Sequence, residues 1–482
     1  MSQISICSRL AIASLFSFAL LLTACSSQPK VASPEEQAQK LQEVMDKGGY
    51  TPASHLDFDS VSEIWNHDGA ELEVEMIAPR QASKYPLIIY LPSLGEDAKA
   101  GRLWRETWVK AGYAVFSMQP RAIGQALKEL EHGKPGGDGK GMPEEDDDDR
   151  DDDKGGKSKG FFGKSGGDGE KSSRSGRSSE LRYLGHEYFA VDALKKRMEQ
   201  LYWAYQQLKI RVDLGASLFS EADLSNTVLA GYDLGAQTVT AVLGEDFMTP
   251  LPENRDIHPV AAIILSPSID LAEGNVRSRF QKLQIPLLVI TGSDDNDPYA
   301  ISSASVRAAV WEFSPAGGKY LLQLTGDVHS LLAGKDMGGR FNAKENKEKD
   351  SGGNWFGGGG NRFDQSGQQS GANIYGNTRY RDNSVAATNQ FPGSSQQYGG
   401  GGSGGQGGSG RGHSNGNSNN GGHTKGDGEK KSQELGYKQV AAVYSASTAF
   451  LDKVVKNDEF AQFWIDDKAS NWLDRIGALK IR

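Results

Sequence analysis

The chain has 482 residues, a formal net charge of −9 and 60 glycines, and only 37% of it is hydrophobic. The acidic balance excludes a phosphate-binding surface, which needs an excess of Lys and Arg, so no nucleic-acid partner is expected. Glycine and charge are concentrated in two stretches, and the remainder, roughly 270 residues, has the composition of one large globular core rather than two.

The first 25 residues read as an address. Arg9 supplies a positive start, Leu10 to Leu22 is a short apolar run, and Leu22-Thr23-Ala24-Cys25 resembles the lipobox of bacterial lipoproteins. The run falls short of the ~20 residues a spanning helix needs. An ordinary secretory signal would leave the cysteine unexplained. The resemblance implies lipidation of Cys25 and anchoring in the bacterial envelope by several acyl chains, where one chain would hold only marginally. Ser26 follows where retention in the inner membrane favours Asp, which points to the outer membrane. Cys7 lies in the removed peptide, so the mature chain has no disulfide, cysteine nucleophile or cysteine metal site.

Residues 26–58 read as a tether with one helical stretch around Glu35 to Met45, and the globular pattern, residues 59–482, starts near Val61. Glu71 to Ile77 alternates polar and apolar residues, as a half-buried strand does. Leu87 to Leu91 and Tyr113 to Met118 are continuous apolar runs, as strands covered on both faces are, with a helix at Leu103 to Lys110 between them. From about 129 to 179 the chain turns to Gly, Lys, Asp and Ser around the acidic run Glu144 to Asp153. A calcium loop there fails on spacing: counted from Asp149, Lys154 stands where glycine is required and Gly160 where glutamate is. Dense like charge stays solvated, so a disordered insertion is expected.

Val191, Leu194, Met198, Leu201, Tyr205 and Leu208 recur at spacings of three and four, predicting an amphipathic helix over Tyr188 to Ile210. Strands follow at Thr227–Ala230, Val260–Leu265, Pro286–Thr291 and Tyr320–Leu324, with a helix at Ala236–Leu243. The alternation predicts an α/β domain with a mostly parallel sheet and helices on both faces. Residues 336–434, rich in Gly, Asn, Ser and Gln, read as a second disordered insertion. Such segments suit protein contacts or serve as spacers. The helical C-terminus, carrying Val440, Val443, Phe450, Leu451, Phe460, Phe463, Trp464 and Leu473, is expected to dock back on the sheet.

The informative stretch is Leu229-Ala-Gly-Tyr-Asp-Leu-Gly-Ala236, a strand running through Gly231-x-Asp233-x-Gly235 into a helix. This is the layout of a nucleophile elbow, whose flanking glycines avoid side-chain clashes. After the next-but-one strand comes Gly292-Ser-Asp-Asp295-Asn-Asp-Pro298, and after the last comes Gly326-Asp-Val-His329. Upstream, Leu91-Pro-Ser-Leu94-Gly95 follows a buried strand. In this order the segments resemble the nucleophile, acid, histidine and oxyanion loops of the α/β-hydrolases, in the secreted branch similar to dienelactone hydrolase and platelet-activating-factor acetylhydrolase. The resemblance covers residues 61–125, 181–334 and 437–482. It implies an α/β-hydrolase fold and a hydrolase acting on a small-molecule substrate, with Asp233, His329 and Asp295 as the catalytic set. The backbone N–H groups of Leu94 and Leu234 would then form the oxyanion hole. No cofactor or metal is implied.

The departure is Asp233 itself, because that branch has serine or cysteine at the elbow. Haloalkane dehalogenases and epoxide hydrolases carry aspartate there and attack saturated carbon. Leu234 stands where the dehalogenases have tryptophan, which counts against a halide substrate. Asp294 and Asp297 remain alternatives to Asp295 as the acid. A domain that has kept the fold as a binding scaffold and lost the chemistry is the competing reading.

Overall fold

A computed structural model describes residues 33–131, 169–335 and 425–482. Residues 1–32, with Cys25, and the central parts of both expected insertions lie outside the described residues, and with them the expectations of a signal segment, lipidation and disorder.

Nine strands form one mixed sheet in the order β1-β2-β4-β3-β5-β6-β7-β8-β9. They are β1 (Phe58–His67), β2 (Ala70–Pro79), β3 (Tyr85–Leu91), β4 (Ala114–Pro120), β5 (Ala222–Tyr232), β6 (Ala261–Leu265), β7 (Leu287–Gly292), β8 (Lys319–Leu324) and β9 (Gly477–Ile481). From β4 through β3 and on to β8 every pairing is parallel. The edges are antiparallel: β1 on β2, β2 on β4, and β9 on β8. The expected mostly parallel sheet is therefore present, with antiparallel margins that the apolar runs did not signal.

Seven longer helices accompany it: α1 (Pro34–Met45), α2 (Arg102–Lys110), α3 (Arg121–Glu131), α4 (Gly169–Phe189), α5 (Val191–Asp213), α6 (Leu234–Val242) and α7 (Lys425–Val455). Alternate residues of the central strands feed two separate cores, one on each face of the sheet. Ile88, Val228, Ile263, Leu288 and Leu322 meet Trp104 and Trp108 of α2 and Val440 and Val443 of α7. Leu87, Leu229, Ile264, Val289 and Leu321 meet Leu194, Met198, Leu201 and Leu208 of α5 and Val239 of α6. Each such buried side chain contributes ~1.5–3 kcal/mol relative to exposure. A strand covered on both faces has no polar side to show, which is why its sequence reads as an unbroken apolar run.

Three boundaries are corrected. The 26–58 segment is no free tether where it is described. α1 starts at a capping box in which the Ser33 hydroxyl accepts from the Glu36 N–H and the Glu36 carboxylate accepts from the Ser33 N–H. Tyr50 is buried beyond it, its hydroxyl donating to Asp452 of α7 at 2.8 Å and its ring stacked on Phe460 and tilted against Trp464. The two insertions are shorter than 129–179 and 336–434, since the backbone of 169–179 belongs to α4 and that of 425–434 to α7. The helix predicted over Tyr188 to Ile210 is interrupted at Ala190, where the backbone is extended at φ −58°, ψ 150° and α5 begins. In the C-terminal region Trp464 and Leu473 are buried as expected, whereas Phe460 and Phe463 are exposed.

Candidate functional site

The elbow is built by close backbone approach. A Cβ on Gly235 would lie 1.9 Å from the Leu91 carbonyl oxygen, and one on Gly231 would lie 2.5 Å from the Gly235 backbone. Nothing larger than glycine fits either position, so the strand can turn directly into α6. Asp233 between them has φ 51° and ψ −105°, a conformation a non-glycine residue holds at a cost of ~1–3 kcal/mol unless its surroundings enforce it. Its N–H donates to the Leu265 carbonyl and its carbonyl accepts from the Gln237 N–H. The side chain is fully buried, and both carboxylate oxygens accept a hydroxyl: Oδ2 from Ser93 and Oδ1 from Ser268, each at 2.6 Å.

His329 follows β8 and opens a one-turn helix. Its Nδ1 lies 2.9 Å from Asp295 Oδ1, at the end of the loop after β7. Of the three candidate acids, Asp295 is the one whose carboxylate reaches the histidine. Asp297 accepts the N–H groups of Tyr299, Ile301 and Ser302, while Asp294 accepts from the Ser293 hydroxyl at the surface. Asp295 is further held by hydroxyls of Ser266 and Thr291 at 2.7 Å and lies 3.5 Å from the Arg307 guanidinium, which is wholly buried. Arg307 also donates to the carbonyls of Ser266, Pro267 and Asp295, tying two loops together. Burial pushes the Asp295 carboxyl up, but the His329 hydrogen bond and the Arg307 charge outweigh it and hold the group at about 2. Burial likewise works against charge on His329, and the hydrogen bond to Asp295 and the negative charge of Asp233 reverse that, raising its pKa above 6.5.

With Nδ1 turned to Asp295, Nε2 is the histidine nitrogen left for chemistry. The Tyr232 ring lies 5.4 Å from the imidazole, and its hydroxyl holds the His329 carbonyl.

Leu94 and Leu234 belong to one small buried cluster with Ile123, Phe189 and Tyr299. Leu234 is the first residue of α6, where an N–H has no partner within its own helix. The loops after β3, β5, β6, β7 and β8 thus meet at the carboxyl edge of the parallel strands, where open α/β sheets place their ligands.

Sequence reasoning missed the supports. Local pattern places Ser93 in the oxyanion-loop segment but not against Asp233, and it marks none of Ser266, Ser268, Thr291, Arg307 and Glu96. The one available signal was that Ser266-Pro267-Ser268 directly follows a predicted strand. Nothing local marks Arg307, whose partners are a carboxylate and carbonyls 12 to 41 residues away. Glu96 is buried beside the elbow, its Oε2 accepting the Ser93 N–H at 3.2 Å and its Oε1 lying 3.8 Å from Lys335 Nζ.

Among the described residues no group of three His, Cys, Asp or Glu side chains is placed to hold a metal ion. No protein-family model matches this chain, and no curated protein matches it.

Proposed function

We propose that this is a hydrolase of the α/β-hydrolase type, held in the bacterial envelope by lipid on Cys25 and acting on a small-molecule substrate. The observation that carries the reading is the buried His329–Asp295 pair at 2.9 Å at the same sheet edge as Asp233, a residue held at positive φ between two obligatory glycines. The Asp233 side chain attacks an electrophilic carbon and forms an ester. His329 Nε2 then takes a proton from water, whose oxygen adds to the carbonyl carbon of that ester. Asp295 orients His329 and stabilises the imidazolium, and the N–H groups of Leu94 and Leu234 receive the oxyanion.

The test is turnover of short p-nitrophenyl esters, epoxides and haloalkanes by protein lacking residues 1–25, with His329→Ala alongside. The expected result is turnover by the parent and an accumulated covalent adduct on Asp233 in the variant, read by mass spectrometry. A folded parent with no turnover, together with a variant that gains no mass, refutes the reading. Such an outcome favours a binding scaffold that has dropped the chemistry, a reading supported by the full burial of Asp233 and the capture of both its oxygens by serines.

A further inference from the structure

Asp233 has no exposed surface and His329 keeps 6% of its own, so a ligand reaches this edge of the sheet only if something moves. What lies over the edge is the C-terminal half of α4. Leu181 and Phe189 of α4 pack with Leu94 from the loop after β3, Leu234 at the start of α6, Ile123 and Tyr299. This small apolar cluster is separate from the two cores of the sheet. The approach is close: a Cβ on Gly185 would lie 2.7 Å from that of Tyr299, and the rings of Phe189 and Tyr299 are 5.6 Å apart. The last carbonyls of a helix have no partner within it, and here the partners come from α5 and α6. Buried Arg197 donates to the Tyr188 carbonyl, Gln237 donates to the Phe189 carbonyl at 3.0 Å, and the two side chains meet at 2.6 Å. A cation is favoured at that end of a helix dipole. Directly after this latch Ala190 is extended, at φ −58° and ψ 150°, while α5 beyond it is held independently in the sheet core by Leu194, Met198, Leu201 and Leu208.

We propose that this contact is the ligand site: α4 turns away about Ala190 as one unit, and an uncharged apolar ligand takes its place against Leu94, Leu234 and Tyr299. The proposal rests on the reading of Asp233 and His329 as the reacting groups and names the class of molecule brought to them. Turning α4 aside bares leucine, isoleucine and aromatic surface, which is unfavourable in water, and a ligand that covers the same surface offsets the loss. A charged ligand would leave water for an apolar cluster without a partner there. Arg197 is no such partner, because its guanidinium is turned to the Tyr188 carbonyl, Gln237 and Thr238. With the closed form dominant, apparent affinity is the intrinsic affinity reduced by the fraction of molecules that are open. A change that favours opening without touching the bared surface therefore tightens binding by the factor by which opening rises. Two positions allow such a change. A methyl group at Gly185 has no room against Tyr299, and removing Gln237 frees the Phe189 carbonyl.

The experiment uses the full chain in detergent with Cys7→Ser and Cys25→Ser, which leaves it without a thiol. A single cysteine is then placed at Leu181, beneath α4, or at Val289, in the sheet core, and its labelling by iodoacetamide is timed. Gly185→Ala and Gln237→Leu are each expected to speed labelling of Leu181→Cys by about tenfold, the scale of a lost buried contact, and to leave Val289→Cys within about twofold. Equilibrium dialysis of benzyl alcohol, with equal detergent on both sides, is expected to show binding that tightens by the same factor in both variants. Benzoate and benzylamine, of similar shape but charged, should bind at least about tenfold more weakly. Gln237→Leu takes a partner from a buried guanidinium, so Gly185→Ala carries the test if that variant fails to fold. Equal acceleration at Leu181→Cys and Val289→Cys is general loosening and overturns the moving α4, as does unchanged labelling in the folded variants. Faster labelling without tighter binding of benzyl alcohol overturns the ligand site, and so does a charged probe bound as tightly as the alcohol. None of these readouts needs turnover: a chain that opens and binds as expected but forms no product or adduct supports this inference and refutes the proposed function alone.

Discussion

The two halves of the site are held in different ways. His329 and Asp295 come from adjacent parallel strands and are locked by charge: imidazole, carboxylate and the buried Arg307 guanidinium lie in one line of contacts. Asp233 is locked by backbone strain and neutral donors, with a hydroxyl from the loop after β3 on one oxygen and a hydroxyl from the loop after β6 on the other. In the proposed mechanism the pair serves proton transfer. In that mechanism Asp233 is held for geometry, and its carboxylate would give up a serine contact on bonding to carbon. A buried charge answers to its partners, whereas a strained turn answers to everything packed against it.

The comparison breaks most sharply at the charged half. Asp295→Asn should lower turnover by about 10³–10⁴-fold, because the amide imposes the wrong histidine tautomer while preserving shape. Single-turnover kinetics on the best probe of the panel measures this, and a loss under tenfold would detach Asp295 from His329. Arg307→Met leaves the Asp295 carboxylate buried without its cation and should destabilise the fold by about 3–5 kcal/mol, read by urea unfolding. A change under about 1 kcal/mol would show that Arg307 is not a support.

The neutral half should respond less. Ser268→Ala and Ser93→Ala each remove one donor from a buried carboxylate oxygen, and each should cost about 1–3 kcal/mol in the same unfolding experiment. Ser268→Ala sharpens the contrast because it leaves the His329–Asp295 contact in place. The His329 titration followed by NMR should therefore stay on the high side of 6.5 in that variant, and a fall below 6.5 would mean that the two halves are not separable.

The smallest effect is the pH dependence. The fold raises the pKa of His329, so its stabilisation is complete below about 6.5 and is lost as pH rises through the raised folded value. Asp295 is lowered from 3.8 to about 2, so its stabilisation is complete above 3.8 and is lost as pH falls towards 2. The proposed mechanism needs neutral His329, so the acid limb of turnover should have a midpoint above 6.5, read from the pH–rate profile of the parent. A midpoint below 6.5 would contradict the negative surroundings of the imidazole.

Much of the fold could be read from local pattern. The buried strands β3 to β8 appear as apolar runs because both their faces are covered, and the elbow shows in the spacing of Gly231, Asp233 and Gly235 because backbone contact tolerates only glycine there. Neither β1 nor β9 leaves such a mark, since an edge strand is exposed along one side and resembles a loop in sequence. The docking of Tyr50 was hidden because its partner Asp452 lies 402 residues away.

By itself the sequence determined the α/β alternation, the turn that carries Asp233 and the order in which Asp295 and His329 follow it. Those are properties of short segments, set by burial period and by the steric demands of glycine. Only the tertiary structure decided which acid faces His329, that two serines hold Asp233, that Arg307 lies beneath the pair, and that Glu96 is joined to Asp233 through Ser93. Each of these is a contact between loops remote in sequence, and the cost of burying a charge is settled by whichever loops the sheet brings to the same edge.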